Sequence, residues 1–472
     1  MAFIENHPYQ ELEVGQRAEL VVRLTLEGLK AFAAHAADAN PAHMDAQLAG
    51  SELFHRFLSH GMWGTAQIAA LIVSELPGPG TTVLEQNLRY DGALTLGESV
   101  LVRVDVREKR AEGRVLLDCV CLNERGEQAV AGTVLVQAPA EKIKRERNEQ
   151  QSVPGRRRQL ERLLSLASGL PAATTAVVHP VDRVSLLGAV EAAEQGLIEP
   201  VLIGPQVKIR AAAEAAEVDL ARYRVVDVEH SHAAAEAGVR MAREGEVEAL
   251  MKGALHTDEL MHAVVDRNYG LRTDRRMSHV WVMDVPTYPR PLLISDTGLN
   301  IDPDLLTKRD IVQNAIDVAH ALGIAEPRVA VLSATESVNP AISSTLHAAA
   351  LCKMAERGQI TGGILDGPLA FDNAISEAAA RTKGIVSNVA GRADILIAPD
   401  LDAGNMLAKQ LHYLADADAA GIVVGARVPI VLTSRADDAV SRMASCAIAL
   451  LVAEQQRRRQ AAKLEAAGER EL

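Results

Sequence analysis

Apolar and polar positions follow two different patterns along the chain, and the change comes after about residue 140. Before it, residues 25–36 and 59–76 carry apolar side chains at helical spacing. Alternating apolar and polar residues then mark four strands, at 81–90, 99–109, 114–123 and 128–137. A long apolar helix followed by antiparallel strands predicts an α+β domain whose sheet wraps around the helix.

The rest of the chain alternates short apolar runs with helical stretches, which is the pattern of a mainly parallel sheet. Strands are predicted at 199–203, 224–228, 248–251, 290–295, 327–333, 361–366, 393–397, 420–424 and 428–433. Helices are predicted at 305–322, 344–358, 404–415 and 437–454, with a charged, frayed helical tail from Gln455. The pattern covers about 310 residues, which is long for one domain, so two α/β lobes are predicted.

A densely charged stretch at 140–163 separates the two patterns. It contains Pro154 and Gly155 and lacks the periodicity of a core element until a helix starts near its end. The predicted domains are therefore 1–140 and 159–472, joined by a linker at 141–158.

Composition excludes several classes of function. The chain has 472 residues and a formal net charge of −13, whereas DNA-binding proteins usually carry a strongly basic face. The N-terminus has no apolar core of a signal peptide, and the apolar runs 66–73 and 446–453 are too short to span a bilayer. We therefore expect a cytoplasmic protein without nucleic-acid or membrane partners.

Four cysteines are too few for a disulfide scaffold. Cys119 and Cys121 are two residues apart, so in a strand both side chains face one side. Neither has His or Cys partners at the spacing of metal ligands. They are predicted to be buried thiols, and no metal site is predicted.

The first candidate site lies just before the long apolar helix. Residues 38–43 read Asp-Ala-Asn-Pro-Ala-His, and Asn40 precedes a proline, which favours a turn. The turn can bring the Asp38 carboxylate and the His43 imidazole to one point, where they can hold and deprotonate a water. Taken alone, the motif also fits a helix-to-loop turn with an Asp cap.

Gly61 follows in the sequence Ser-His-Gly-Met at 59–62, where the apolar helix opens. A helix N-terminus offers backbone N–H groups and a positive dipole end, which suits a thioester oxygen gaining negative charge.

Residues 10–138 resemble the MaoC-like hydratases, a family of hotdog folds. The resemblance rests on D-A-N-P-A-H followed by S-H-G-M, and on Leu88–Asp91 with Gly97 and Glu98. These enzymes add water to trans-2-enoyl-CoA, usually giving (R)-3-hydroxyacyl-CoA. The resemblance implies that Asp38 and His43 are the catalytic pair and that Asn40 and Gly61 bind substrate, without a metal.

The second half of the chain places polar residues at strand ends, where open α/β sheets bind ligands. Lys252 follows a strand and is a candidate anion contact. Arg276, Ser278 and His279 form a cluster suited to phosphate, although a surface loop explains them equally well. Asp366 ends a buried strand.

Ser434 and Arg435 follow the strand 428–433 and precede another helix, an arrangement that suits phosphate. Asp437 or Asp438 can cap that helix or accept a proton.

Residues 175–455 resemble the phosphate acetyl/butyryltransferase family, and nearer to the butyryl than to the acetyl branch. Long matches include R-M-S-H-V, P-L-L-I-S-D-T-G-L-N-I and P-D-L-D-A-G-N-M-L-A-K. The resemblance implies two α/β lobes, at about 159–280 plus 418–472 and about 281–417. It also implies acyl transfer between CoA and inorganic phosphate, with no bound cofactor.

By this resemblance, Ser434 stabilises the oxyanion or holds phosphate, and Arg435 binds phosphate. The acidic base of the acetyl branch falls near Ser441 in this sequence, so Asp437 is the substitute to test.

The sequence thus predicts a multidomain α+β and α/β enzyme with hydratase and phosphate acyltransferase activities. Its expected ligands are acyl-CoA, CoA, phosphate and acyl phosphate. Because both resembled families form dimers, we expect a homo-oligomer. One alternative is a transferase whose hotdog domain only senses acyl-CoA or drives oligomerisation. A dehydrogenase is disfavoured because no G-x-G-x-x-G follows a strand.

Overall fold

The chain packs into two compact units, Met1–Ser152 and Val153–Leu472. The computed structural model describes residues 3–25, 28–29, 32, 61–92, 94–95, 97–146, 158–432 and 439–468. The finer predicted boundaries of the linker and the two lobes stay predictions.

The first unit is a five-stranded antiparallel sheet with one long helix. Its elements are β1 (Phe3–Glu5), β2 (Arg17–Arg23), α1 (Gly61–Ser74), β3 (Thr82–Tyr90), β4 (Ser99–Arg110), β5 (Arg114–Leu122), β6 (Gln128–Gln137) and β7 (Lys144–Glu146). The strand order is β2-β4-β5-β6-β3, and β1 pairs with β7. The four strands predicted from alternation are confirmed nearly to the residue. Of the predicted helix 25–36, residues 25, 28, 29 and 32 are described; Thr25 is not helical, and the other three are.

Alternation along the strands explains why α1 lies on one face of this sheet. Every second residue of β4 from Val100 to Val106 is buried against α1 residues such as Ile68 and Leu71. The packing is close at Gly64, where a Cβ would lie 2.9 Å from a methyl carbon of Val130. Only a glycine fits this approach without displacing the sheet.

Cys119 and Cys121 both point into this core. Each is a free, buried thiol, and burial raises the pKa of both to about 12. The prediction that the two side chains share one face is confirmed.

The second unit alternates strands and helices throughout. Its strands are β8 (Ala173–Val178), β9 (Ile198–Gly204), β10 (Arg224–Asp227), β11 (Ala249–Lys252), β12 (Ser278–Asp284), β13 (Leu292–Ser295), β14 (Arg328–Leu332), β15 (Ile364–Leu369), β16 (Ile395–Ile397), β17 (Asp418–Val424) and β18 (Ile430–Val431). Its helices are α2 (Arg158–Ala167), α3 (Arg183–Glu194), α4 (Gln206–Ala216), α5 (Ser231–Glu244), α6 (Thr257–Val265), α7 (Leu305–Ala321), α8 (Ser343–Glu356), α9 (Phe371–Ile375), α10 (Glu377–Thr382), α11 (Leu401–Leu414) and α12 (Ala439–Gly468).

All eleven strands form one sheet, in the order β10-β9-β8-β11-β18-β17-β12-β13-β16-β14-β15. Neighbours pair in parallel except around β17 and β12, where three successive pairings are antiparallel. The sheet is therefore mainly parallel, as predicted. The sequence patterns did not identify β8 or β12; β12 begins with the polar pair Ser278–His279, for which a phosphate contact and a surface loop were equally good predictions.

The two faces of this sheet are covered differently. On one face, a single core runs under both halves, with α2, α3, α7, α8 and α12 packed on it; we call it the shared core. On the other face, one core joins β8, β9 and β11 to α5 and α6, and a second joins β13, β14 and β16 to α9, α10 and α11. We call these the β8–β11 core and the β13–β16 core, and their face the open face.

The C-terminal helix α12 runs on to Gly468, through the charged tail predicted as frayed helix from Gln455. Arg457 holds it in place: its guanidinium makes two bonds of 2.5 Å to the Glu248 carboxylate and also donates to the carbonyls of Pro171 and Ala172. These contacts explain why a charged tail stays helical. Within the residues described, no helix combines the length and the apolar character needed to cross a membrane.

Candidate functional site

The open face has an exposed seam where its two cores meet, on the central strands β12 and β17. We define the seam by His279, Trp281 and Gly421. Trp281 pairs directly with Gly421 across the two strands, and both are half-buried although they lie in the middle of an eleven-stranded sheet. Solvent therefore reaches the sheet centre on this face.

His279 is the polar residue buried at the seam. Its backbone N–H donates to the Asp296 carboxylate at 3.1 Å, and its Nδ1 lies 2.7 Å from the Thr297 hydroxyl. The ring meets Trp281 edge to face, with centroids 6.1 Å apart. Its second nitrogen, Nε2, is buried and has no hydrogen-bond partner among the described residues.

Burial controls the charge of this imidazole. It lowers the pKa of His279 to about 4, against the opposing effect of the nearby Asp296 charge. The ring is therefore neutral near pH 7, so one nitrogen donates a hydrogen bond and the other accepts one.

Asp296 builds the turn that holds Thr297 beside this ring. Its carboxylate accepts backbone N–H groups from His279, Gly298, Leu299 and Asn300 at 2.9–3.2 Å. The turn lies at the carboxyl end of β13, where ligands gather in open sheets. In the sequence, this S-D-T-G-L-N stretch stands out only by its family resemblance, and no pattern in it predicts the turn.

Ser278 and Arg276, predicted to bind substrate next to His279, do not face the seam. Ser278 is fully buried, and its hydroxyl accepts from the Asn314 amide at 3.0 Å. Asn314 lies on α7, on the side of the shared core. The Arg276 side chain is exposed, and its backbone N–H donates to Asp310. Successive strand residues point to opposite faces, which separates Ser278 from His279.

Lys252 lies at the carboxyl end of β11, beside β18. Its amine donates to the carbonyls of Gly253 and Leu255 at 3.4 and 3.2 Å. Met251 pairs with Val431, three residues before Ser434. β18 therefore ends beside the last residues of β11, which include Lys252.

Ser434, Arg435 and Asp437 themselves lie outside the described residues. One continuous row of paired residues crosses the sheet from β11 to β12, through Leu250, Ile430, Val423 and His279. The seam therefore lies three strand spacings, or about 14 Å, from β11.

Asp366 lies far from the seam. It is on β15, the edge strand four positions from β12, which corresponds to roughly 19 Å. Its carboxylate accepts the backbone N–H of Gly367 at 2.8 Å. The structure does not bring it together with His279 or Lys252.

A buried lysine that the sequence patterns do not reveal lies on α7, in contact with α8. Lys308, in the first turn of α7, places its Nζ 3.0 Å from His347 Nδ1, and burial lowers its pKa. Ser344, three residues before His347 on α8, is hydrogen-bonded to Ser333 at 2.8 Å. A lysine at the fourth position of a helix resembles a surface residue in sequence, so only the fold reveals its burial.

The first unit positions one predicted site residue. Gly61 is the first described residue of α1, so whether the helix opens there stays a prediction. The helix start is attached to β3 by the Tyr90 hydroxyl, which lies 2.9 Å from Thr65 Oγ1 and donates to the Met62 sulfur. Asp38, Asn40 and His43 lie outside the described residues.

Metal ligands are not grouped anywhere in the part of the chain that the structure describes: no three His, Cys, Asp or Glu side chains could hold one ion together.

Comparison with known proteins identifies both units. Residues 231–450 match the family model described as phosphate acetyl/butaryl transferase. Over 309 residues, the chain is 60% identical to a phosphate acetyltransferase of Rhizobium meliloti, covering 66% of this chain and 98% of that protein. The chain belongs to the phosphate acetyl/butyryltransferase family. Residues 10–116 match the MaoC like domain model, so the first unit is a MaoC-like hotdog domain.

Two further relatives place this transferase within its family. A phosphate butyryltransferase of Clostridium beijerinckii is 39% identical over 293 residues, 62% of this chain and 97% of that protein. The crystal structure of a branched-chain phosphotransacylase from Enterococcus faecalis V583 matches with a TM-score of 0.53 and 28% identity, over 59% of this chain and 99% of that chain. The expected nearness to the butyryl branch is wrong by these identities, because the acetyltransferase relative is much more similar.

Proposed function

We propose that this chain carries two acyl-CoA activities. The second unit transfers an acyl group reversibly between CoA and inorganic phosphate. The first unit adds water to trans-2-enoyl-CoA to give (R)-3-hydroxyacyl-CoA. The observation that carries the larger part of this proposal is the 60% identity over 98% of the phosphate acetyltransferase of R. meliloti. The same identity favours acetyl-CoA among the acyl substrates.

The transferase step needs a phosphate clamp, an oxyanion donor and a base, and no metal. A phosphate oxygen attacks the thioester carbonyl carbon, the C–S bond breaks, and the CoA sulfur leaves with its electron pair and takes up a proton. Arg435 binds phosphate, and Ser434 donates to the carbonyl oxygen as it becomes negative. Support comes from β18, which ends three residues before Ser434 in the sequence and pairs with β11, the strand that ends in Lys252.

The base is Asp437 in this proposal. The acidic residue of the acetyl branch corresponds to Ser441, which is buried in α12 and whose carbonyl accepts from Ser445 Oγ at 2.9 Å. A serine hydroxyl is far too weak a base for this role near pH 7. Asp437 and its neighbour Asp438 are the carboxylates available within a few residues of Ser434.

The transferase is tested with the purified full chain and acetyl-CoA or butyryl-CoA, with and without phosphate, by following free thiol. We expect phosphate-dependent release, which Ser434→Ala and Arg435→Ala reduce at least a hundredfold. Arg458→Ala is the control, since that guanidinium is exposed and bonds to Glu454. Thiol release that ignores phosphate indicates thioester hydrolysis, and no release from either substrate rejects the transferase.

The hydratase proposal rests on the MaoC-like match and on the D-A-N-P-A-H motif. Asp38 orients a water, His43 removes its proton, and the water oxygen adds to the double bond. Gly61, the first described residue of α1, binds the thioester oxygen through its backbone N–H in this proposal, as the N–H groups at a helix N-terminus can.

Loss of enoyl absorbance from crotonyl-CoA measures this activity. We expect Asp38→Asn and His43→Gln to abolish hydration. The oligomeric state, measured by light scattering, should stay that of the homo-oligomer proposed for the native chain. Asp91→Asn, at an exposed surface position, is the matched control. No hydration by the native protein instead favours the second candidate, in which the first unit senses acyl-CoA or drives oligomerisation.

A further inference from the structure

A cavity of about 400 Å³ lies on the side of the transferase sheet that faces the shared core. Its walls come from α7, from residues 452–460 of α12, from the loop 273–275 before β12 and from the turn 425–427 between β17 and β18. Three guanidinium groups from three of these elements line it, so we call it the arginine pocket: Arg275, Arg427 and Arg459.

The arginine pocket is separate from the motif proposed for catalysis. The turn that carries Arg427 comes just before β18, whereas Ser434 follows the end of that strand in the sequence. β18 runs parallel to β11, which ends in Lys252. The pocket therefore lies at the start of these two strands and Lys252 at their finish, so the proposed acyl transfer does not explain the pocket.

Two of the three arginines are held in place by one carboxylate. Asp317 on α7 accepts from Arg275 Nη1 at 2.6 Å with one oxygen and from Arg459 Nη2 at 3.1 Å with the other. The Arg427 side chain makes no hydrogen bond or ion pair with the described residues. Asp274 is the second acidic residue of the lining, so the pocket keeps a net positive charge in a chain whose formal net charge is −13.

This arrangement suits a phosphate better than a carboxylate. A carboxylate has two oxygens in one plane, which a single guanidinium can pair. A phosphate monoester presents three terminal oxygens and up to two negative charges, so it can contact guanidinium groups from several directions. Arg427 supplies the group that is free to bind, and the pair on Asp317 supplies oriented positive charge beside it.

The rest of the pocket fits an organic group attached to that phosphate. Val318, Val424 and Val452, which belong to the shared core, give it an apolar floor. Two neighbouring amides on α12, those of Gln455 and Gln456, have no hydrogen-bond partner in the part of the chain that the structure describes. A glutamine amide donates and accepts at once, which matches the edge of an adenine base.

We propose that the arginine pocket is a second ligand site of the transferase unit and that it binds an adenine mononucleotide. The phosphate contacts Arg427 and the Arg275–Arg459 pair, and the base lies against the glutamine amides of α12. The binding depends on neither of the proposed activities. Because α7 follows β13 and α12 follows β18, the nucleotide also adds contacts between the two halves of the unit.

Calorimetric titration of AMP into the full chain tests the site, in phosphate-free buffer and with the protein saturated with CoA. Saturation with CoA fills the proposed acyl-CoA sites, so AMP is measured elsewhere on the chain. We expect AMP to bind at least tenfold more tightly than inorganic phosphate. Arg427→Ala should weaken AMP binding about tenfold or more, because a charge-assisted hydrogen bond is lost.

Arg272→Ala is the matched control. Arg272 is exposed and pairs through its backbone with Ala426, next to Arg427, but its side chain does not line the pocket. The control removes the same charge from the same surface and should leave AMP affinity within about twofold of the native value. Arg427→Lys, which keeps the charge but loses the planar group, should recover only part of the loss.

Thermal unfolding gives a second measurement. Since a ligand that binds only the folded chain stabilises it, AMP should raise the melting temperature of the native protein and of Arg272→Ala, and by much less that of Arg427→Ala. Melting without AMP checks that each variant folds, and Arg427→Lys remains available should Arg427→Ala fail to fold.

Three results would overturn the proposal. The first is the absence of AMP binding, or binding that Arg427→Ala leaves unchanged. The second is displacement of AMP as CoA is raised, which would place the nucleotide in an acyl-CoA site. The third is equal affinity for inorganic phosphate and AMP, which would leave an anion contact without recognition of a nucleotide. Phosphate-dependent thiol release tests the transferase separately, so failure of one proposal does not decide the other.

Discussion

The two faces of the eleven-stranded sheet are covered by different cores, although the same strands form both faces. One hydrophobic core runs across the whole shared face, whereas two separate cores cover the open face. On β12 and β17, Val280, Val282 and Ile422 point into the shared core, where all three are fully buried. The alternate residues Trp281 and Gly421 point to the open face and remain half-exposed. One face therefore joins the two halves of the unit, and the other separates them.

This difference shows how one sheet can be stabilised on one face and carry a candidate site on the other. A continuous core resists local opening, because each buried side chain is packed against both halves. A seam between two cores can leave a polar group such as His279 beside solvent without breaking the sheet. The candidate site lies on the face that contributes less to holding the halves together.

The largest expected effect tests this continuity with two matched substitutions. Ile422 and Ile294 are both fully buried isoleucines, on the shared face and in the β13–β16 core respectively. Each change to alanine should cost about 2–5 kcal/mol of unfolding free energy. Hydrogen exchange should show lost protection in both halves for Ile422→Ala, but mainly in 283–417 for Ile294→Ala.

A different exchange pattern would break the comparison. If Ile422→Ala loosens only one half, the shared core is not one cooperative unit. If Ile294→Ala loosens strands β8 and β11 as strongly as β13 and β16, the two open-face cores are not independent.

A smaller effect is expected at the edge of the shared core, where Arg457 ties α12 to the starts of β8 and β11. Its two bonds to Glu248 hold the pKa of that carboxyl below its usual range. Arg457→Ala should cost about 1–2 kcal/mol in urea unfolding, less than a fully buried pair because both side chains are partly exposed.

Arg457→Lys keeps the charge but loses the paired geometry, so it should recover less than half of that cost. Arg458→Ala, an exposed i,i+4 partner of Glu454, should change stability by no more than about 0.5 kcal/mol. Equal costs for Arg457→Ala and Arg458→Ala would show that the Glu248 contact does not anchor the helix.

Sequence patterns predicted the layers of this protein better than its site. Alternation located β3 to β6 because one sheet face is buried, and short apolar runs located most strands of the second unit because both faces are covered. β12 was missed because Ser278 and His279 look like a polar loop. In the fold, Ser278 contacts Asn314 on one face of the sheet, and His279 contacts Thr297 on the other. These environments arise because β12 pairs with β17 and β13, which the sequence pattern of β12 alone does not indicate.

Motif resemblance predicts chemistry that neither pattern nor packing reveals, whereas the rule that ligands bind at strand ends singled out residues that the fold separates. Lys252, His279 and Asp366 were predicted together, yet they lie on strands several positions apart. Because the connections cross over, the order of the strands along the chain does not predict their order in the sheet. Lys308 and Asp296 were missed for the same reason, since their partners come from other elements.

The smallest predicted effect concerns the pH dependence of stability at the seam. His279 has its pKa lowered from 6.5 to about 4 in the folded chain, so the unfolded chain binds a proton there first as pH falls. Stability from this residue is complete above about pH 6.5 and declines as pH falls toward 4. Between pH 7.5 and 5.5 the loss of unfolding free energy should be about 1 kcal/mol, measured by urea unfolding at both values.

His279→Gln should remove this dependence of stability on pH, whereas Trp281→Phe, which keeps an aromatic ring over the seam, should retain it. An unchanged slope in His279→Gln would mean that the imidazole is not held neutral at the seam. The open face would then have no titrating residue that distinguishes it from the face of the shared core.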